Sequence, residues 1–213
     1  MKHLRSLKQI NLDLNTYYET RLKYKENEGA YDLYADNLLW WNDKINLISR
    51  SVSRETVREH IIHSLLPLQI NILDKSEIIV DAGTGGGLPG IPLAISMPGV
   101  KFILNDIVQK KIMAVKQMVR ELNLDNVEYF QGPISELREK QLFTLVSKHA
   151  FKTDDLMEMV KEKPYEKIVL YKGNKEGLSE TKKTVASEGI IFNFEFGKTV
   201  SFYEGKGIIV LNR

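Results

Sequence analysis

The chain has 213 residues, of which 43% are apolar and 27% charged, and a formal net charge of +2. This is enough ordinary globular sequence for one sizeable core, and no stretch approaches the roughly 20 apolar residues of a membrane span. With no cysteine there is neither a disulfide nor a thiolate metal site. The near-neutral charge means that a polyanionic partner has to be held by a local patch.

The start, MKHLRSLKQINLDL, lacks a secretory h-region, and a reducing cytoplasm fits the cysteine count. Residues 1–70 show no strand-like alternation and are expected to form a helical extension. Leu14, Tyr18 and Leu22 make one stripe at helical spacing; Tyr31, Tyr34, Leu38 and Trp41 make a second. Such stripes supply a helix with its buried face. Lys2, Arg5, Lys8, Arg21, Lys23 and Lys25 outnumber Asp13 and Glu19, the pattern of a solvated helix face or of a surface that meets phosphate. Residues 41–53, WNDKINLISRSVS, read as a turn-rich connection. A helix capped by Ser53 then runs to Leu66, with Val57, Ile61 and Leu65 inside, and ends at Pro67. His60 and His63 lie on it at a spacing that could share a metal, but no other ligand stands in register with them.

Residues 78–95, IIVDAGTGGGLPGIPLAI, hold the strongest signal. Ile78, Ile79 and Val80 read as a strand buried on both faces, and the glycines from Gly83 to Gly87 as a turn that lets a ligand lie against bare backbone. The helix that follows stops at Pro98. A turn of this kind at the carboxyl end of a first strand is a small-molecule site in an open α/β sheet. Gly85, Gly87 and Gly90 fit the spacing of dinucleotide binders, a pattern that is weak taken alone. Asp81 would repel a pyrophosphate and suits the sulfonium and ammonium of S-adenosylmethionine. The next strand, Phe102–Leu104, ends at Asp106, which is placed either to accept both ribose hydroxyls of an adenosine or to cap the helix from Val108 to Leu122.

Beyond this helix, strands are expected at 127–130 and 143–147, with a short helix at 135–140 between them. The strand over 143–147 delivers Lys148 and His149 to the ligand-facing edge. A strand over 167–171, a helix reaching Ser187, and β-rich runs at 190–196, 199–203 and 207–211 complete the chain. Strands joined without helices pair antiparallel. The sum is a mostly parallel, Rossmann-like methyltransferase sheet with an antiparallel carboxyl-terminal strand: residues 71–213 as the catalytic domain and 1–70 as its extension.

WNDKINLIS, EHIIHSLLPL with His60 and Ser64, DAGTGGGLPGIPLAI, Asp106 followed by Lys110 and Lys111, and KHAF at the end of the fourth strand together resemble the RsmG family, also called GidB. The resemblance runs over most of the chain. It implies a bacterial cytoplasmic enzyme that uses S-adenosylmethionine to methylate N7 of a guanine in 16S ribosomal RNA; beside this, a class I fold, a monomer and no membrane contact are expected. By resemblance, Gly83 and Leu88 line the cofactor pocket, Asp106 takes the ribose, and Ile134 and Ser135 flank the adenine; the reading of the residues themselves adds Asp81, Gly85 and His149 to the cofactor set. Lys148 and His149 are the candidates for positioning the reaction. Lys44, Arg50, Arg54, Arg58, His60, Lys148, His149 and Lys172 are the candidates for the RNA surface. The family places arginines where this chain has Pro133 and His149. Other readings of the residues are a nicotinamide-dependent oxidoreductase, a small-molecule methyltransferase, and a ribosome-binding relative that no longer transfers methyl groups.

Overall fold

Apolar runs covered on both faces dictate a layered α/β arrangement. The computed structural model describes residues 7–49, 51–173, 179–180 and 188–213. Its strands are β1 (Leu7–Leu12), β2 (Ile78–Ala82), β3 (Lys101–Asp106), β4 (Val127–Gln131), β5 (Phe143–Lys148), β6 (Tyr165–Gly173), β7 (Glu188–Phe194) and β8 (Lys206–Asn212). They form one sheet in the order β1-β7-β8-β6-β5-β2-β3-β4. Only β8 runs against its neighbours, β6 and β7; all other pairings are parallel. The fold is therefore the mostly parallel, Rossmann-like one with an antiparallel strand at its carboxyl end. The chain leaves β2 toward β3 on one side and returns to β5 on the other. This reversal opens a crevice at the carboxyl ends of β2 and β5.

The helices are α1 (Leu14–Glu26), α2 (Glu28–Ile45), α3 (Arg54–Gln69), α4 (Gly90–Ser96), α5 (Gln109–Glu121) and α6 (Thr153–Val160). Alternate residues of the central strands point to opposite layers, as a period of two requires. Ile79, Phe102, Leu104 and Val146 pack with the helices from α1 to α5, whereas Ile78, Val80, Ile103 and Leu145 pack with Leu156 and Val160 of α6.

Several expectations are corrected. Residues 7–12 are a strand, paired in parallel with β7 from Leu7↔Gly189 to Leu12↔Phe194; the partner lies almost the whole chain away, and no local pattern announces it. Tyr18 and Leu22 are exposed at 53% and 65%. The inward face of α1 carries Tyr17, Thr20 and Tyr24, because Tyr17 can stack on Phe196 while its hydroxyl donates to Glu59. The second stripe holds, with Tyr31, Tyr34 and Leu38 all buried. Helix α2 continues to Ile45 and α3 passes through Pro67 to Gln69. Single 3-10 turns, Ile134–Glu136 and Ser201–Tyr203, replace the expected short helix and strand. Helix α6 was not anticipated. The helix expected to reach Ser187 lies largely outside the described residues.

Candidate active site

The glycine turn is fixed from beneath. Asp81, at the end of β2, is fully buried, and its Oδ2 accepts from the Thr84 hydroxyl at 2.7 Å and from Gly90 N–H at 2.9 Å. Gly90 has to be glycine, since a Cβ there would collide with Leu104 and with Asp81 itself. Tyr34 of α2 donates to Gly86 O at 2.9 Å. Gly83 has φ 71, and a Cβ on it would stand 2.5 Å from Ala150 Cβ. Burial raises the Asp81 carboxyl to about 7, opposed by the bonds from Thr84 and Gly90. Asp81 therefore braces the turn from inside and is not among the residues lining the cleft, contrary to its expected role as a cofactor contact.

The cleft has two lobes that share Gly83, Lys111, His149 and Ala150. The larger, about 460 Å³, is lined by Asp106 together with Ile107, Val108, Pro133, Ile134, Phe151 and Met159. The Asp106 carboxylate accepts from Val108 N–H at 2.9 Å and from Gly85 N–H at 3.1 Å. It steadies the entry to α5 and lines the cavity. Ser135 is exposed and does not line this lobe.

The smaller lobe, about 280 Å³, is lined by Leu47, Ile48, Ser49, His60, the turn from Gly83 to Gly86, Leu88 and Lys148. Asn42 builds one wall. Its Oδ1 accepts from Leu47 and Ile48 N–H at 2.8 and 2.9 Å, and its Nδ2 donates to Ser49 O. The reversal begins at Asn46, φ 52, a left-handed cap that asparagine tolerates. Lys148 Nζ donates to His60 O at 2.9 Å and to Ser64 Oγ at 3.4 Å, which joins α3 to the end of β5. Desolvation, aided by Lys206, pushes the Lys148 ammonium well below its ordinary value. Burial beside Lys148 pulls His60 down to about 2, and its Nδ1 is buried without a hydrogen-bond partner. His149 has φ 56. Burial first, and then Lys148, Lys206 and Lys172, bring it to about 4.

The sequence from 27 to 198 matches the family described as rRNA small subunit methyltransferase G. The chain belongs to that family. The enzyme of that name from Chlorobium limicola is 38% identical over 155 residues, which is 70% of each chain; the one from Bacteroides thetaiotaomicron is 37% identical over 144 residues, 67% of each. Among solved structures, an O-methyltransferase from Bacillus cereus in complex with S-adenosylhomocysteine superposes with TM-score 0.58 at 15% identity, covering 84% of this chain and 90% of that one. TomG of Streptomyces achromogenes, in complex with S-adenosylmethionine, gives 0.54 at 13% identity, with coverages of 84% and 89%. At these identities the likeness shows the fold, that of class I methyltransferases.

In this methyltransferase the residues fit an adenosine-bearing methyl donor. Gly83 turns the chain close against Ala150 and Phe151, where a Cβ would collide, and lines both lobes with bare backbone; the Asp106 carboxylate faces the larger lobe, and Val108, Ile134 and Phe151 give that lobe apolar walls. The structure brings Gly83, Gly85, Leu88, Asp106, Ile134, Lys148, His149 and His60 to the cleft. Others of the expected set it does not. Lys172 is only 5% exposed, and its Nζ lies 2.7 Å from Glu180 Oε2; its buried ion pair withholds it from a phosphate. Arg54 bonds to Asp36 at 2.5 Å and Arg58 lies over the Tyr24 ring; neither lines the cleft. Arg50 falls outside the described residues. His63 is fully buried among Tyr171, Phe194, Phe202 and Tyr203, and no metal-binding cluster occurs among the described residues. Sequence reasoning missed Leu47–Ser49, Thr84 and Lys111 as cavity walls. The fold of Asn42 against its own loop was the available signal.

Proposed function

We propose that this chain transfers a methyl group from S-adenosylmethionine to N7 of a guanine in the 16S ribosomal RNA of the small subunit. The observation that carries this is the family match over residues 27–198, together with a cleft of matching chemistry at the switch point of the sheet. The cofactor supplies a methyl group on a sulfonium, which the in-plane lone pair of guanine N7 accepts with no proton to remove. The chain therefore needs no general base, and its contribution is positioning.

The larger lobe, with Asp106, holds the adenosine, and Gly83 and Gly85 carry the bare backbone beside it. The smaller lobe receives the guanine between Leu47–Ser49 and Lys148. Lys148 donates to the base while His60 O and Ser64 Oγ fix its ammonium in place, so that little is lost in ordering it at the moment of reaction. A depressed ammonium suits a site that must carry the positive charge of the donor and then of the methylated base. Residues 13–49 and 51–70 act as an extension that walls the cleft on the catalytic domain 71–213, whose sheet takes residues 7–12 as an edge strand. The enzyme works as a monomer in the cytoplasm; no helix among the described residues is long and apolar enough to cross a membrane.

The test is transfer of labelled methyl from S-adenosylmethionine to small subunits and to deproteinised 16S RNA from a strain lacking the modification, with the product nucleoside identified. Label in 7-methylguanosine is expected. No label on either substrate, from protein that S-adenosylhomocysteine still stabilises against heat, would overturn the assignment.

A further inference from the structure

Helix α2 climbs to the cleft, where its end leads into Leu47–Ser49, and α5 descends from the cleft beside Asp106. Between them lies a groove of about 480 Å³ lined by Asp36, Asn37, Trp40, Trp41, Gln117 and Glu121. The core does not require Trp40: α2 already buries Tyr31, Tyr34 and Leu38, and Trp40 is 54% exposed. Its ring stands 5.0 Å from that of Trp41 at 87°, with Lys44 Nζ 4.2 Å from its centroid. The amide nitrogen of Asn37 is buried with no hydrogen-bond partner. Lys116 and Arg120 are exposed on α5. Asp36 is paired with Arg54, and Glu121 accepts from the Gln117 amide.

We infer that this groove takes one unpaired nucleotide of the substrate RNA a few positions from the target guanine, its base stacked on Trp40 and its edge bonded by the exposed amide of Gln117. The inference rests on the RNA methyltransferase reading. An aromatic face, a side-chain amide and nearby cations are the combination that holds single-stranded bases. At about 1.5 Å per helical residue, Trp40 lies roughly 8 Å below the end of α2 and Gln117 roughly 12 Å below the start of α5. A few nucleotides at about 3.4 Å each cover that distance. Lys44, over the Trp40 ring, lies where it can pass to the phosphate of the stacked nucleotide.

Both tryptophans of the chain stand in this groove, so intrinsic fluorescence reports on it directly and independently of methyl transfer. Titration with single-stranded oligoadenylate and with deproteinised 16S RNA is expected to quench the wild type and to leave Trp40→Ala little changed. Trp40→Ala should raise KM for deproteinised RNA about tenfold, the factor that corresponds to 1.4 kcal/mol of lost stacking. It should leave kcat, Tm and S-adenosylhomocysteine affinity unchanged, and Trp40→Phe should restore most of the loss. Quenching without any methyl transfer would uphold the groove while the N7 reading fails. The inference is overturned by absence of quenching with an unchanged KM, by a KM that rises only on intact subunits, which would mark a protein occupant, or by a concentration-dependent mass that Trp40→Ala abolishes, which would mark a second copy.

Discussion

The two lobes of the cleft are built from different material. The Asp106 lobe gathers the ends of β2, β3, β4 and β5 and Met159 of α6, with one carboxylate tied to nearby N–H groups and apolar walls around it. The Lys148 lobe gathers residues 47–49, His60 and Lys148 from three distant parts of the chain and holds desolvated nitrogen groups. The turn and the acid are therefore written locally, as a strand end and a run of glycines, whereas the walls that close each lobe are a tertiary product. If the two lobes take cofactor and RNA as proposed, substitutions on the two sides should separate affinity for the cofactor from reaction with RNA.

The largest separation is expected from Asp106→Ala. On the proposed reading it removes an acceptor for two ribose hydroxyls, each charge-assisted bond being worth about 1.5–3 kcal/mol, so S-adenosylhomocysteine affinity should fall at least about 100-fold by calorimetry. Asp106→Asn, which keeps one oxygen acceptor, should fall between. Unchanged affinity in the alanine variant would detach Asp106 from the cofactor. On the opposite side, Lys148→Met keeps the length of the side chain and removes its donor. It should lower kcat/KM on deproteinised 16S RNA by about tenfold, the lower part of the range for a charged hydrogen bond, while cofactor affinity stays within twofold of wild type. A parallel loss of both would show that Lys148 merely pins α3 to β5.

The same division governs what could be read before the fold was known. The β2 strand, the glycine turn and Asp106 are legible because strand burial, backbone freedom and an acid at a strand end act over a few residues. The inward face of α1 is not. Leu14, Tyr18 and Leu22 carry the better apolar period, yet Tyr17 and Tyr24 are buried, since partners at Glu59, Asp32, Tyr31 and Phe196 satisfy both their hydroxyls and their rings. Strand β1 depends wholly on β7, and Lys172 looked like a surface cation until Glu180 closed on it. Asp81 is legible as a buried-strand acid beside the site, but charge complementarity alone says nothing of which way the carboxylate faces, and here it turns to Thr84 and Gly90.

The smallest expected effect concerns the pH dependence of stability and distinguishes Asp81 from the histidines. His149 falls to about 4 and His60 to about 2, so below pH 6.5 the unfolded chain binds protons at these sites before the folded one does. Their contribution is full above pH 6.5 and is lost as pH falls, for His149 through about 4. Asp81, raised from 3.8 to about 7, has the opposite sign: its contribution is full below 3.8 and is lost as pH rises through about 7. Between pH 4 and 6.5 the two effects oppose each other. His149→Asn tolerates the positive φ and removes one histidine, so the fall of Tm on going from pH 6.5 to 4 should become shallower. Asp81→Asn keeps an oxygen for Thr84 and Gly90 but removes the opposing titration, so the same fall should become steeper. If both variants change the slope in the same direction, the opposition between turn and cleft does not exist.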